Sequence, residues 1–157
     1  MQIQVEIEEL SYDALKDSTK QFLNQAIEAH HQSYAPYSQF HVGCSVKHNS
    51  GKTIMGSNQE NASFPSGLCA ERVALFESSK NLLNDKVTQI AIYARSTKYE
   101  VPKMLVPCAA CLQVMSDIEV RQKEPIEIWM WDGSDAVFKA NGVSQFLPFH
   151  FELNIKH

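Results

Sequence analysis

Val87-Thr88-Gln89-Ile90-Ala91-Ile92-Tyr93-Ala94 is a run rich in β-branched residues with the length of a strand. The next periodic segment opens at Pro107-Cys108-Ala109-Ala110-Cys111 and runs through Val114 and Met115. Proline suits the first turn of a helix, so this segment reads as one. Ile126 to Trp131 is a further strand, Asp132-Gly133 a hairpin turn, and Ala136 to Lys139 its partner. Toward the N-terminus, residues 11–33 read as one helix, with Leu15, Phe22, Leu23, Ala26 and Ile27 at helical spacing and Ser11 or Asp13 available as a cap. Pro36 ends it. His41 to Val46 and Thr53 to Ser57 form a hairpin about Ser50-Gly51, and residues 58–68 are a polar loop. A helix from Cys69 to about Leu82 and a short one at Val143 to Leu147 complete the order α-β-β-α-β-α-β-β-α. The expected class is α/β: a three-layer α/β/α sandwich around a central mixed sheet of about five strands.

A chain of 157 residues, 44% hydrophobic and 20% charged, fits one domain spanning 1–157 with a substantial core. The formal charge is −4, and lysines and arginines are scattered. Nucleic acid, which selects a basic patch, is therefore not an expected partner. No apolar run approaches the ~20 residues needed to span a membrane. Met1 to Glu6 has neither a basic nor an apolar leader pattern, so the expected location is cytoplasmic. In that setting a Cys-x-x-Cys points to metal or redox chemistry and not to disulfides.

The chemistry concentrates in Cys69-Ala70-Glu71 and Pro107-Cys108-Ala109-Ala110-Cys111. Both cysteine groups start helices, where the N-terminal partial charge favours thiolate. Cys108 and Cys111 lie one helical turn apart, so both sulfurs can face one ion. Three thiolates hold a zinc ion, one per chain, and leave its fourth position open to water, as in a catalytic site. Glu71, two residues after the first ligand, is then the proton carrier. Three thiolates around Zn²⁺ leave a negative centre, and Arg72 is the candidate to offset it by donating to a sulfur. A structural zinc knot would need Cys44 or His48 as a fourth ligand; a thioredoxin-like motif would leave Cys69 and Glu71 unexplained. Cys44, in a strand-like run, reads as a small buried residue.

Cys-x-Glu followed by Pro-Cys-x-x-Cys is the signature of zinc-dependent nucleobase deaminases. With Tyr37-Ser38-Gln39-Phe40-His41-Val42-Gly43 and Asn58-Gln59-Glu60-Asn61-Ala62-Ser63-Phe64-Pro65, the chain resembles the small homotetrameric cytidine deaminases. A weaker match covers Phe146 to Phe151. The resemblance implies hydrolytic deamination of cytidine and deoxycytidine by a zinc-bound hydroxide, in pyrimidine salvage. It implies that Asn58 and Glu60 hold the ribose and that Phe40 packs near the substrate. Ala70 backbone would read the pyrimidine edge, and Phe151 would reach a neighbouring subunit's site. Alternatives are a deaminase of another aminopyrimidine nucleoside, of blasticidin type, and a catalytically silent zinc-binding protein on the same fold. Four features depart from the family pattern: Leu112 stands where arginine is usual, Cys44-Ser45 replaces two alanines, Phe64 replaces a frequent tyrosine, and Phe149-His150 replaces small residues.

Overall fold

The computed structural model describes residues 1–153. Six strands form one mixed sheet: β1 (Ile7–Ser11), β2 (Phe40–His48), β3 (Thr53–Ser57), β4 (Val87–Ser96), β5 (Glu127–Trp131) and β6 (Ala136–Asn141). Their order across the sheet is β1-β6-β5-β4-β2-β3. The β4–β5 pair is parallel and every other pair is antiparallel. Three helices, α1 (Asp17–His30), α2 (Ala70–Ser78) and α3 (Ala109–Gln122), cover it.

Side-chain alternation along the central strands divides the core in two. Ile90 and Ile92 of β4 and Ile128 and Met130 of β5 join Leu75 of α2 and Met115 and Ile118 of α3. Ala91, Tyr93, Trp129 and Trp131, one position out of phase, pack against Phe22, Leu23 and Ala26 of α1. One helix therefore lies on one face and two on the other, which is the expected three-layer sandwich. Because β4 and β5 run parallel, their connection must cross over, and α3 is that crossover. Its N-terminus is delivered to the end of the sheet where β4 finishes, the usual place for a site in such sheets.

The expected mixed sheet is present, and three of the expected helices need correction. The sheet has six strands, because Ile7–Ser11 pairs antiparallel with β6. Its sequence hides this: only Ile7 and Leu10 are partly buried, and Glu8 and Glu9 face solvent on an edge strand. The first helix accordingly does not begin at Ser11. Ser11 ends β1 with its hydroxyl on Asp135 (2.9 Å), Tyr12–Ala14 make a single 3₁₀ turn, and α1 starts at Asp17 with Lys16 at the cap position. The second helix also stops at Ser78 and continues only as the 3₁₀ turn Ser79–Asn81, and the helix expected at 143–147 is the 3₁₀ turn Val143–Gln145.

Two glycines seat the helices on the sheet. A Cβ at Gly43 would lie 1.9 Å from the Ala26 carbonyl oxygen, and one at Gly56 would lie 2.5 Å from that of Ala70. Backbone meets backbone at both places, and only glycine permits it. Gly56 sets the height of α2, and so of the residues at its N-terminus.

Candidate active site

Cys69 is the N-cap of α2 and Cys108 the N-cap of α3; both have extended backbone and no side-chain cap bond. Cys111, in the first turn of α3, is fully buried. The sulfurs of Cys69 and Cys108 are 3.8 Å apart and those of Cys108 and Cys111 3.4 Å. All three lie within 4.8 Å of one another, and among the described residues the group contains no fourth Cys, His, Asp or Glu. A tetrahedral zinc with Zn–S of ~2.3 Å spaces its sulfurs about 3.8 Å apart, so this donor set fits zinc with one position left over. Neither proposed fourth ligand of a structural knot is present. Cys44 is wholly buried in the sheet, where burial holds its thiol well above the usual range, and His48 contacts the Asp85 carbonyl at 2.9 Å.

One thiol, that of Cys69, is already biased toward ionisation. Hydrogen bonding from Cys111, with support from Arg72 and Cys108, pulls Cys69 down to about 5 against the opposing effect of burial. Cys111 is pushed up, because it is the donor to Cys69 and is itself buried. The Arg72 Nη2 lies 3.7 Å from the Cys69 sulfur, the contact expected of a compensating cation, while its Nε is buried without a partner. Glu71 is only 5% exposed. Burial lifts its carboxyl to about 7, and the negative Cys69 adds to the effect against its own backbone N–H, Cys111 and Arg72. A carboxyl near 7 can both take and release a proton under ordinary conditions.

Two adjoining clefts meet at these residues. One, about 390 Å³, is lined by Phe40, Val42, Glu71, Leu105 and Cys108 among others. The other, about 480 Å³, is lined by Tyr37, Glu60, Phe64, Leu68 and Arg72 among others. Ser38, Asn58 and Cys69 line both. Ala70 is fully buried at the first position of α2, its carbonyl against Gly56.

Asn58 and Glu60 are both in the clefts and both already engaged. Asn58 Oδ1 accepts from Ser33 Oγ and from the Val42 N–H (2.8 Å), and its Nδ2 donates to the Phe40 carbonyl (2.8 Å). Both lone pairs of Oδ1 are taken, so Asn58 can offer a ligand one remaining N–H and no acceptor. Glu60 Oε2 accepts from the N–H groups of Tyr37 (2.8 Å) and Ser38 (3.2 Å), and Oε1 accepts from the Ser38 hydroxyl. Slight burial opposes its charge, but those donors keep Glu60 below the usual carboxylate range. It is the acceptor of the pair.

Phe151 stands apart from the chain's own clefts, 70% exposed. Gln113 brackets its backbone: the Gln113 Nε2 donates to the Phe151 carbonyl (2.8 Å), and the Phe151 N–H donates to Oε1 (3.3 Å). Sequence reading missed the parts played by Ser33, Ser38 and Gln113. Ser38 sits inside the Tyr37–Gly43 motif, which was the available signal, and Gln113 lies two residues past the ligand Cys111; Ser33 carried none. Leu112 is buried in the core beside Cys111, so a neutral side chain stands where arginine is usual.

Comparison with known proteins agrees with this geometry. Residues 16–123 match the family described as the cytidine and deoxycytidylate deaminase zinc-binding region. The chain is 43% identical over 96 residues to a cytidine deaminase of Halalkalibacterium halodurans, covering 61% of this chain and 68% of that one. It is 34% identical over 103 residues to a cytidine deaminase of Proteus mirabilis, covering 62% of this chain but only 35% of the other. Among solved structures, the cytidine deaminase of Burkholderia pseudomallei superposes with a TM-score of 0.71 at 29% identity, covering 87% of this chain and all of that one.

Proposed function

We propose, from the premise that this chain belongs to the cytidine and deoxycytidylate deaminase zinc-binding family, that it converts cytidine and deoxycytidine to uridine and deoxyuridine with release of ammonia. The observation that carries this reading is the buried Glu71 beside three sulfurs spaced for one zinc. The zinc would be held by Cys69, Cys108 and Cys111, and the chemistry it supplies is activation of water for attack on the amino-bearing ring carbon. Glu71 carries two protons in turn: one from the water to the ring nitrogen, where it stays in the product, and the second from the newly added hydroxyl to the departing amine, so that the carbon–oxygen bond becomes the carbonyl as the carbon–nitrogen bond breaks and ammonia leaves. Its burial keeps bulk water from competing for those protons. The first-turn backbone at Ala70 and the Glu71 carboxyl bind the pyrimidine edge. Phe40 walls the base cleft. Asn58 donates its free N–H to the sugar, and Glu60 accepts from a sugar hydroxyl. Arg72 draws charge from the Cys69 sulfur.

The reading extends to one domain, assembled as a homotetramer whose sites receive Phe151 from a neighbour, working in cytoplasmic pyrimidine salvage. Support for assembly is the exposure of Phe149, Phe151 and Leu153 at 69%, 70% and 74%. No helix among the described residues is long and apolar enough to cross a membrane.

The test is turnover by the zinc-loaded protein of cytidine, deoxycytidine, cytosine and dCMP, with zinc measured in the same sample. Both nucleosides should be deaminated and free cytosine far more slowly, at about one zinc per chain. A fully zinc-loaded, folded sample inert toward both nucleosides would defeat the proposal.

A further inference from the structure

A cleft of about 510 Å³ opens on the α1 face of the sheet. His41 and Arg95 are register partners on β2 and β4, two residues from the Gly43–Tyr93 pair that lies under α1. Alternation therefore puts both side chains on the α1 face, opposite to Phe40 and Val42 of the Glu71 cleft. The last residues of α1 bring His30 and His31 to the same place. The His30 ring is 5.2 Å from that of His31 and 6.1 Å from that of His41. Its edge meets Tyr93 at 5.3 Å, and the Arg95 Nε donates to the Tyr93 hydroxyl (2.7 Å), leaving the outer guanidinium nitrogens free of that bond.

This gathering of base has no ion-pair partner; Glu60 is near enough to His41 to feel its charge, but it is held by Tyr37 and Ser38 in the other cleft. The chain carries −4 overall. Yet none of these four side chains forms an ion pair among the described residues, and no carboxylate lines the cleft. Asp132, on the turn that abuts Arg95, is bound to the Ser134 N–H (2.9 Å). The His30 Nδ1 is buried without a partner. Burial and the like charges of His31, His41 and Arg95 all lower the affinity of His30 for a proton. Ser33, Ser96 and Thr97 add hydroxyls to the wall. A fixed guanidinium, imidazoles able to donate, and hydroxyls are the donor set for a tetrahedral oxyanion.

We propose that this cleft binds a phosphate group, either free phosphate or the phosphate of a nucleotide. Its position gives occupancy a route to the nucleoside clefts. His41 Nδ1 contacts Ser33 Oγ (3.1 Å), and that hydroxyl donates to Asn58 Oδ1. A bound anion thus changes the charge two hydrogen bonds from Asn58.

The test is calorimetric titration of the full-length, zinc-loaded protein with inorganic phosphate and, separately, with a nucleoside 5′-monophosphate. Histidine ring resonances are followed by NMR in parallel. Arg95→Gln and His31→Gln serve as variants at exposed residues; melting temperatures check that loss of the Arg95–Tyr93 bond leaves the fold intact. Phosphate is expected to saturate at a Kd of roughly 1 mM or below near pH 6. Histidine resonances should shift, and affinity should fall about tenfold in either variant, the loss of one charge-assisted contact. Equal affinity for phosphate and nucleotide assigns the free anion; a tighter nucleotide that is weakened in the same variants assigns the nucleotide. No saturable binding up to about 10 mM near pH 6, or binding indifferent to both substitutions, overturns the proposal.

Discussion

Glu71 is unremarkable as a letter in a helix and unusual as a buried group. A carboxyl 5% exposed, beside a sulfur biased toward thiolate, favours its protonated form more than a surface glutamate does. Replacing it with glutamine keeps shape and hydrogen-bonding reach but removes the proton. Glu71→Gln should therefore retain full zinc and an unchanged melting temperature while kcat falls by about 10²–10⁴. Zinc analysis beside steady-state kinetics checks this, and activity within a few-fold of wild type would rule out the assigned role. Glu60 acts differently. Three donors hold it in its charged form and below the usual carboxylate range. A depressed acid contributes stability that is present above its unfolded value and lost only as pH falls through the folded one. Its charge, and with it sugar binding, should therefore be constant from neutral pH down to the ordinary carboxylate range. Glu60→Gln should raise KM for cytidine about tenfold and leave the weak rate on free cytosine unchanged, because an acceptor is lost only where a ribose exists. Equal effects on both substrates would mean that Glu60 supports the loop and does not read the sugar. The partner residue shows the limit of sequence: the motif implied that Asn58 holds the ribose, but not that Ser33 and Val42 saturate its oxygen and leave it only a donor. Nothing in the order of letters places Ser33 beside Asn58.

At the scale of elements, the site is two helix N-termini held at one height. The local spacing Cys-x-Glu and Cys-x-x-Cys was readable because it is helical geometry written in sequence. The meeting of Cys69 with Cys108, 39 positions apart, depends on the sheet between them. Gly56 is where that dependence is sharpest. A methyl group there would sit 2.5 Å from the Ala70 carbonyl oxygen and 2.7 Å from the Ala74 nitrogen, both backbone atoms that cannot rotate away. Gly56→Ala should force α2 off β3, costing about 1–3 kcal/mol and lowering the melting temperature by roughly 3–10 °C. It should also weaken zinc retention against a chelator, since Cys69 moves with the helix while Cys108 and Cys111 stay. A Gly51→Ala control meets no atom within 4 Å but strains a positive φ, so it should cost stability without zinc. Loss of stability in Gly56→Ala with unchanged zinc retention would show that the helix accommodates the methyl without shifting its N-terminus. The elements that sequence misread, β1 and the start of α1, are the ones whose apolar signal is weakest. Ile7 and Leu10 are too few to announce a strand, and the helix was read back to Ser11, the last residue that pairs with β6, across a 3₁₀ turn that precedes α1.

The whole molecule leaves more apolar surface at its C-terminal end than a finished core would. Phe149, Phe151 and Leu153 are 69%, 70% and 74% exposed, and Phe64 at the mouth of the sugar-side cleft is 72% exposed. Clustered apolar exposure of this kind marks a surface that another chain covers. Gln113 holds the Phe151 backbone in place from α3, so the ring is presented from a fixed position and not from a loose tail. Sequence showed the apolar run from Phe146 to Phe151 but not which of its rings the monomer buries: Phe146 and Leu147 pack on the core, while Phe149 and Phe151 do not. On the proposed homotetramer, light scattering should give about four chain masses. If each site takes its own Glu71 and a neighbour's Phe151, Glu71→Gln chains and Phe151→Ala chains are each defective for a different reason. Subunit exchange between the two would create sites with intact Glu71 from one chain and intact Phe151 from the other. Activity should then rise above that of either parent after mixing, and should not rise when exchange is blocked by chemical crosslinking beforehand. Exchange demonstrated by mass spectrometry without any gain in activity would leave Phe151 in its own chain's service, as a surface ring that Gln113 merely anchors.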